Sequence, residues 1–181
     1  MEPNGIWQGM GIPDAELEAK ADWIGRDHPR FRGTTVMYFR TAASLIRFSR
    51  YDFSLLSLAL FQAIIGLEKM LKLHYDDETT VFKTLLSNVV RDGVIADSSF
   101  SSIPVLPKEM VKRMEKGLAT NAEKFAELLP MLRNDFFHGI YLLDPVFLPL
   151  ALQIREAVDA VLDTRRSEET KRDAPGDRFG A

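Results

Sequence analysis

The sequence predicts an all-α protein, an antiparallel helical bundle with a helical extension at its N-terminus. Three observations lead there. Apolar residues recur at three- and four-residue spacing along most of the chain, the period of a helix face. No stretch alternates apolar and polar residues over six positions between flanking turns, as a half-buried strand would. The longest uncharged run, Phe53 to Leu67, contains Ser54, Ser57, Gln62 and Gly66 and passes directly into Glu68 and Lys69. A bilayer-spanning helix needs roughly 20 apolar residues, so this shorter run reads as a central helix buried on nearly all sides.

In chain order, 14–26 reads as a short polar helix that Pro13 precedes and His28-Pro29 ends, because the residue before a proline is pushed out of the helical region. Residues 34–50 are amphipathic: Val36, Phe39, Ala43 and Ile46 share one face, and Arg40, Ser44 and Arg47 another. The central helix occupies 54–75, with Glu68 and Lys72 one turn apart at its more polar end. A helix over 79–91 stops at Gly93. Residues 97–107 are a serine-rich loop, and 108–118 a helix with Lys108, Lys112 and Lys116 at four-residue spacing. Thr120-Asn-Ala-Glu123 matches a capping box, so a new helix starts there. It turns Phe125, Leu128, Leu129, Leu132 and Phe136 inward, is kinked or interrupted at Pro130, and closes at Gly139. A last helix covers 145–162. Three regions follow: an N-terminal extension with one short helix (1–33), the bundle (34–162), and a charged, apolar-poor tail (163–181) expected to be disordered.

Composition narrows the function. Of 181 residues, 46% are hydrophobic and 27% charged, the balance of a globular protein with a core. The net charge of −3 argues against a protein that coats nucleic acid, so any such contact must come from a local patch. There is no cysteine, which removes disulfides, thiolate nucleophiles and Cys-based zinc sites. The three histidines, His28, His74 and His138, are far apart and in no metal-ligand spacing, so metal chemistry is not expected, with a carboxylate-only Mg²⁺ site as the one alternative left open; no cofactor is expected. No signal peptide is visible and a cytoplasmic location is expected.

One stretch concentrates polar chemistry: Leu132-Arg133-Asn134-Asp135-Phe136-Phe137-His138-Gly139. Cleaving RNA without a metal requires a group that moves a proton and a cation that stabilises charge on phosphate. Histidine and arginine supply these, since imidazole titrates near neutrality and guanidinium presents a fixed fork of donors. Each residue also has a plain structural reading. Arg133 can pair with Asp135 or Glu127, His138 can cap a helix end, and Asn134 can sit on a surface. Phe136 and Phe137 read as core, and the Lys108–Lys116 and Arg40–Arg47 stripes as solvated faces. Residues five apart on a helix differ by about 140° in direction and about 7.5 Å in height. Arg133 and His138 therefore converge on one phosphate only if the helix end distorts or a second protomer completes the site.

In these residues the chain resembles the HEPN family of helical-bundle domains. The family pattern is an arginine, four to six residues, then a histidine, often with a polar residue after the arginine; here that is Arg133, Asn134 and His138. The segment Ile65-Gly-Leu-Glu-Lys-Met-Leu-Lys72 resembles the helix preceding the family's motif helix. The resemblance spans roughly residues 34 to 162. It implies an endoribonuclease in which the ribose 2′-hydroxyl attacks the adjacent phosphate, giving a 2′,3′-cyclic phosphate. Arg133 and His138 would be catalytic and Asn134 substrate-binding. It further implies RNA as substrate, a homodimer with a composite active site, and a toxin–antitoxin or antiviral defence role with an antitoxin or other protein partner. The alternative within the family is a catalytically inactive module that binds a nucleotide or a partner protein. Outside it stands a plain helical adaptor in which Arg133 and His138 are structural. Toxin members modified by a nucleotidyltransferase carry a tyrosine two residues after the histidine; here Tyr141 lies three after it, with Ile140 at the family position.

Overall fold

The computed structural model describes residues 5–29, 31, 33–102, 112–114, 117–139 and 144–173, the last nine of them in backbone only. Among these there are seven α-helices and no strand: α1 (Ile6–Gly9), α2 (Asp14–Gly25), α3 (Thr34–Phe48), α4 (Leu55–Tyr75), α5 (Phe82–Arg91), α6 (Asn121–Phe137) and α7 (Phe147–Asp173). The protein is an all-α bundle. Most of the expected helix 108–118, and the loop residues 103–107, lie outside the described residues.

α4 is the hub. Leu56, Leu60, Ile64, Leu67 and Leu71 are fully or almost fully buried, and the helix packs against α3 on one side and α7 on another. α3 and α4 run antiparallel: the chain turns between Phe48 and Leu55, yet Gly66 lies against Phe39 and Tyr38 farther along. The approach is so close that a Cβ on Gly66 would stand 2.7 Å from the Phe39 ring, so no larger residue fits without repacking. No described helix is long and apolar enough to cross a membrane.

The segment before residue 34 is built into the same core. Trp7 is buried and its Nε1 donates to Ser49 Oγ at 3.1 Å. α2 lies antiparallel on α3, with Arg50 paired to Glu18 (3.2 Å) and Arg47 to Glu18 (2.9 Å) and Asp22. Arg40 reaches Asp27 at 2.8 Å. The Arg40–Arg47 stripe is therefore a solvated face whose charges are already matched by α2 and the residue pair after it.

Arg155 of α7 closes this arrangement. It has no exposed surface. Nη1 donates to the carbonyls of Ile24 (3.0 Å) and Arg26 (2.8 Å) at the end of α2, and Nε donates to Asp159 Oδ1 (3.2 Å). Terminal helix carbonyls have no partner within their own helix and carry the negative end of the dipole, so a guanidinium is a suitable cap. Its face covers the rings of Phe31 (4.6 Å) and Phe39 (5.8 Å). Burial pushes its pKa below the ordinary arginine value, against the opposing pull of Asp159.

Three boundaries differ from expectation. α5 begins at Phe82, because Asp77 Oδ1 accepts from the backbone of Thr79 (2.8 Å) and Thr80 (3.0 Å) and folds those residues into a turn. α6 is not interrupted at Pro130; the missing N–H removes one bond, and Leu128, Leu129 and Leu132, all buried, hold the helix across the gap. α7 runs on to Asp173, past residue 162 where the last helix was expected to end and into the expected charged tail of 163–181. Arg, Glu and Lys there are good helix formers and extend a helix that packing has already nucleated. Residues 174–181 lie outside the described residues.

Arg155→Ala is expected to cost about 3–5 kcal/mol, since it leaves Asp159 and two helix-end carbonyls without their donor. Arg155→Lys should recover only part of this, because an ammonium cannot reach all three acceptors as the planar fork does. Urea unfolding of both variants checks this; equal stability of Arg155→Ala and the parent would show that the contact is idle.

Candidate functional site

The candidate site forms at the C-terminal end of α6. The register of that helix is set at its start. Thr120 Oγ1 accepts from Glu123 N (3.1 Å), and Glu123 Oε2 accepts from the backbone of Thr120 (2.9 Å) and Ala119 (2.7 Å), the reciprocal capping box that the sequence predicts. Its end is set by Gly139, whose φ of 74° is favourable only without a side chain. His138 N donates to Asn134 O, and Gly139 N to Phe136 O, both at 3.0 Å.

Between these ends the inward side is apolar. Leu129, Leu132 and Phe136 are buried, and Phe136 meets Phe61 of α4 (5.7 Å) and Phe147 of α7 (5.9 Å) edge-on. Contacts 61–136 and 68–133 show that α4 and α6 run antiparallel. Phe137 is not core, as the sequence suggested, but 74% exposed. It follows Arg133 by four residues and so shares that residue's half-exposed face, whereas Phe136 follows Leu132 inward.

Neither sequence-derived partner of Arg133 is the one it takes. Glu127 pairs with Lys83 (2.9 Å). Asp135 is buried and receives both Nη groups of Arg113, at 2.6 and 3.1 Å; those bonds raise the guanidinium pKa of Arg113, so it is a permanent cation. Arg133 instead donates from Nε to Glu68 Oε2 on α4 at 2.7 Å, with Nη2 3.5 Å from Oε1. Glu68 is buried and also has Lys72 Nζ at 3.4 Å. Arg133 itself keeps 42% of its side chain exposed. A buried carboxylate thus holds one edge of a guanidinium whose side chain stays partly exposed.

Asn134 and His138 are exposed, and among the described residues neither side chain forms a hydrogen bond. The Phe137 ring lies edge-on to the His138 ring, with centroids 5.8 Å apart. About 40° separates Asn134 from His138 around the helix, against about 140° for Arg133. The helix therefore brings Asn134 and His138 to one side and turns Arg133 toward α4. Glu68, Asp135 and Arg113 were not among the expected site residues. The signal for Glu68 was a lone carboxylate directly after an uncharged run; nothing local marked Arg113.

His28 lies against Phe31 (5.9 Å) and His74 against Tyr75 (4.8 Å), both far from His138 in sequence. Among the described residues no group of three or more His, Asp or Glu side chains is arranged to hold a metal ion. A cleft between α5 and α6, lined by Lys83, Val90, Arg91, Ala126 and Glu127, borders the other half of α6. Lys108, Lys116, Ile140 and Tyr141 lie outside the described residues. No family model, curated protein or solved structure matches the chain significantly.

A double-mutant cycle between Glu68→Gln and Arg133→Gln is expected to return a coupling on the order of 1–2 kcal/mol, the range for contacting charged residues. Arg133→Gln alone should be the costlier single change, because it leaves the buried carboxylate with Lys72 only. Additive effects in urea unfolding would mean that the pair does not orient Arg133.

Proposed function

We propose that the protein is a metal-independent endoribonuclease of HEPN type, acting as a homodimer, in a toxin–antitoxin or antiviral defence role. The observation that carries this reading is the Glu68–Arg133 pair beside an open helix end. A guanidinium held on one edge and exposed on the other is preorganised for a phosphate, and Asn134 and His138 stand exposed within the next turn and a half.

In the proposed reaction the 2′-oxygen of ribose forms a bond to phosphorus and the P–O5′ bond breaks. One imidazole takes the 2′ proton and a protonated imidazole returns one to O5′, leaving a 2′,3′-cyclic phosphate and a 5′-hydroxyl. Arg133 stabilises the charge on the non-bridging oxygens, and Asn134 orients the substrate. The roughly 140° between Arg133 and His138 is why two protomers are needed: a two-fold axis near the helix ends would set the Arg133 of each beside the His138 of the other. Exposed Phe137, with Leu58 one turn from Phe61 on α4 and also exposed, supplies apolar surface for such a contact.

The same ion pair also favours a second reading, in which Arg133 only neutralises Glu68 and the module binds a nucleotide or a partner protein without cleaving RNA. Purified protein incubated with RNA in excess EDTA separates the two. The ribonuclease reading expects cleavage to persist with cyclic-phosphate ends, and His138→Ala to lower it by roughly 10² to 10⁴, the range for lost acid–base catalysis. His138→Ala should keep its melting temperature to within a cap-sized effect of about 1–2 kcal/mol. Undiminished cleavage by folded His138→Ala protein, or cleavage that needs added Mg²⁺, would defeat the proposal.

A further inference from the structure

We propose that the cleft between α2 and α7 is a binding site for a small organic cation with a guanidinium head, held by the carboxylate of Glu156 against the ring of Trp23. The cleft shares no residue with the α6 site, and its ligand does not depend on the ribonuclease reading. Its volume is about 510 Å³, within the roughly 300–1,000 Å³ of small-molecule sites. Ala19 and Trp23 of α2 and Leu152 of α7 form apolar walls, and Glu16, Lys20 and Glu156 supply the charges. Glu16 and Lys20 pair with each other, one turn apart, at 3.1 Å. Arg26 and Arg155, the arginines of this helix pair, both go to Asp159, at 2.7 and 3.2 Å. Glu156 is left as the charge in the cleft with no opposite partner among the described residues.

Glu156 is partly buried and fixed in place. Its Oε1 accepts from Ser101 N at 3.2 Å, while Oε2 is buried and has no hydrogen-bond partner among the described residues. One turn earlier Gln153, 2% exposed, donates to Ser102 O (3.3 Å) and leaves its Oε1 buried and unpartnered in the same way. This side of α7 is therefore short of donors where it meets residues 101–102, and a carboxylate oxygen away from water is costly without one. The last torsion of glutamate is broad, so either oxygen can turn to a donor in the cleft while the other keeps Ser101 N. A guanidinium answers both walls, since its fork of donors matches a carboxylate and its plane stacks on an aromatic ring. Trp23 already takes part in one such contact, with Arg26 over the ring at 5.1 Å. Arg26 does not line the cleft, so it does not occupy the surface of the ring that does.

The test uses the full chain and the ¹H–¹⁵N signals of its two indoles, with butylguanidinium as probe and butylurea as its uncharged counterpart of the same shape. Trp7, buried against Ser49, is the internal reference, and Trp23→Phe assigns the other signal. We expect butylguanidinium to shift the Trp23 signal saturably, with a Kd on the order of 1 mM or below, and to leave Trp7 in place. Butylurea should bind at least about tenfold more weakly, and Glu156→Gln should lose a similar factor for butylguanidinium, because hydrogen bonds to an ionised group are the stronger ones. Glu156→Gln keeps an acceptor for Ser101 N, and comparing the two probes on the parent chain needs no variant at all. No saturable response at Trp23, or one that Trp7 shares equally, overturns the inference. So does butylurea binding as well as butylguanidinium, or a folded Glu156→Gln variant binding as the parent does.

Discussion

A guanidinium without solvent stands where the first long helix meets the last. Arg155 donates to the end of α2 and to Asp159, and covers Phe31 and Phe39 with its face. Taking a charge out of water is costly unless acceptors meet it, and the placement of α2, α3 and α7 brings acceptors and rings to this guanidinium together. Phe39 in turn lies against Gly66 of α4. The position of α4 relative to α7 is thus tied to a contact made by residues that the sequence places outside the bundle, and α4 is the helix that carries Glu68.

From that frame the site end of α6 inherits its geometry. Two buried carboxylates, one on α4 and one on α6 itself, each hold an arginine at the surface. Both carboxylates have cations within reach, and both arginine side chains stay about half exposed. The edge of each guanidinium that faces its carboxylate belongs to the fold.

Local signals made most of the fold legible in the sequence. The 3.6-residue period located the helices that bury one stripe, an uncharged run located α4, and the Thr120–Glu123 box and Gly139 marked both ends of α6 through bonds within four residues. The partners of the site were not legible for the opposite reason. Arg133 and Glu68 are 65 residues apart, Arg113 and Asp135 are 22 apart, and Arg155 and the Ile24 carbonyl are 131 apart. Such pairs depend on helix placement, so Arg133 was assigned the nearest carboxylates in sequence, which other cations occupy. Phe137 was misread because composition marks it as core, while its position on the Arg133 face decides its exposure. The length of α7 was underestimated because a charged segment carries no apolar period even when it continues a helix.

The placement of the two tryptophans has a spectroscopic consequence. Trp7 is buried against Ser49, and Trp23 lies under the Arg26 guanidinium at 5.1 Å; the chain has no other tryptophan. Tryptophan emission therefore reports α1 and α2 and the residues they pack on, Ser49 and Phe53 among them, and carries no probe on α6 or at the site. Far-UV dichroism reports every helix. The two signals view different parts of one structure, so the spacing between their transitions measures directly whether the N-terminal segment and the helices that hold Arg133 unfold as one cooperative unit or two.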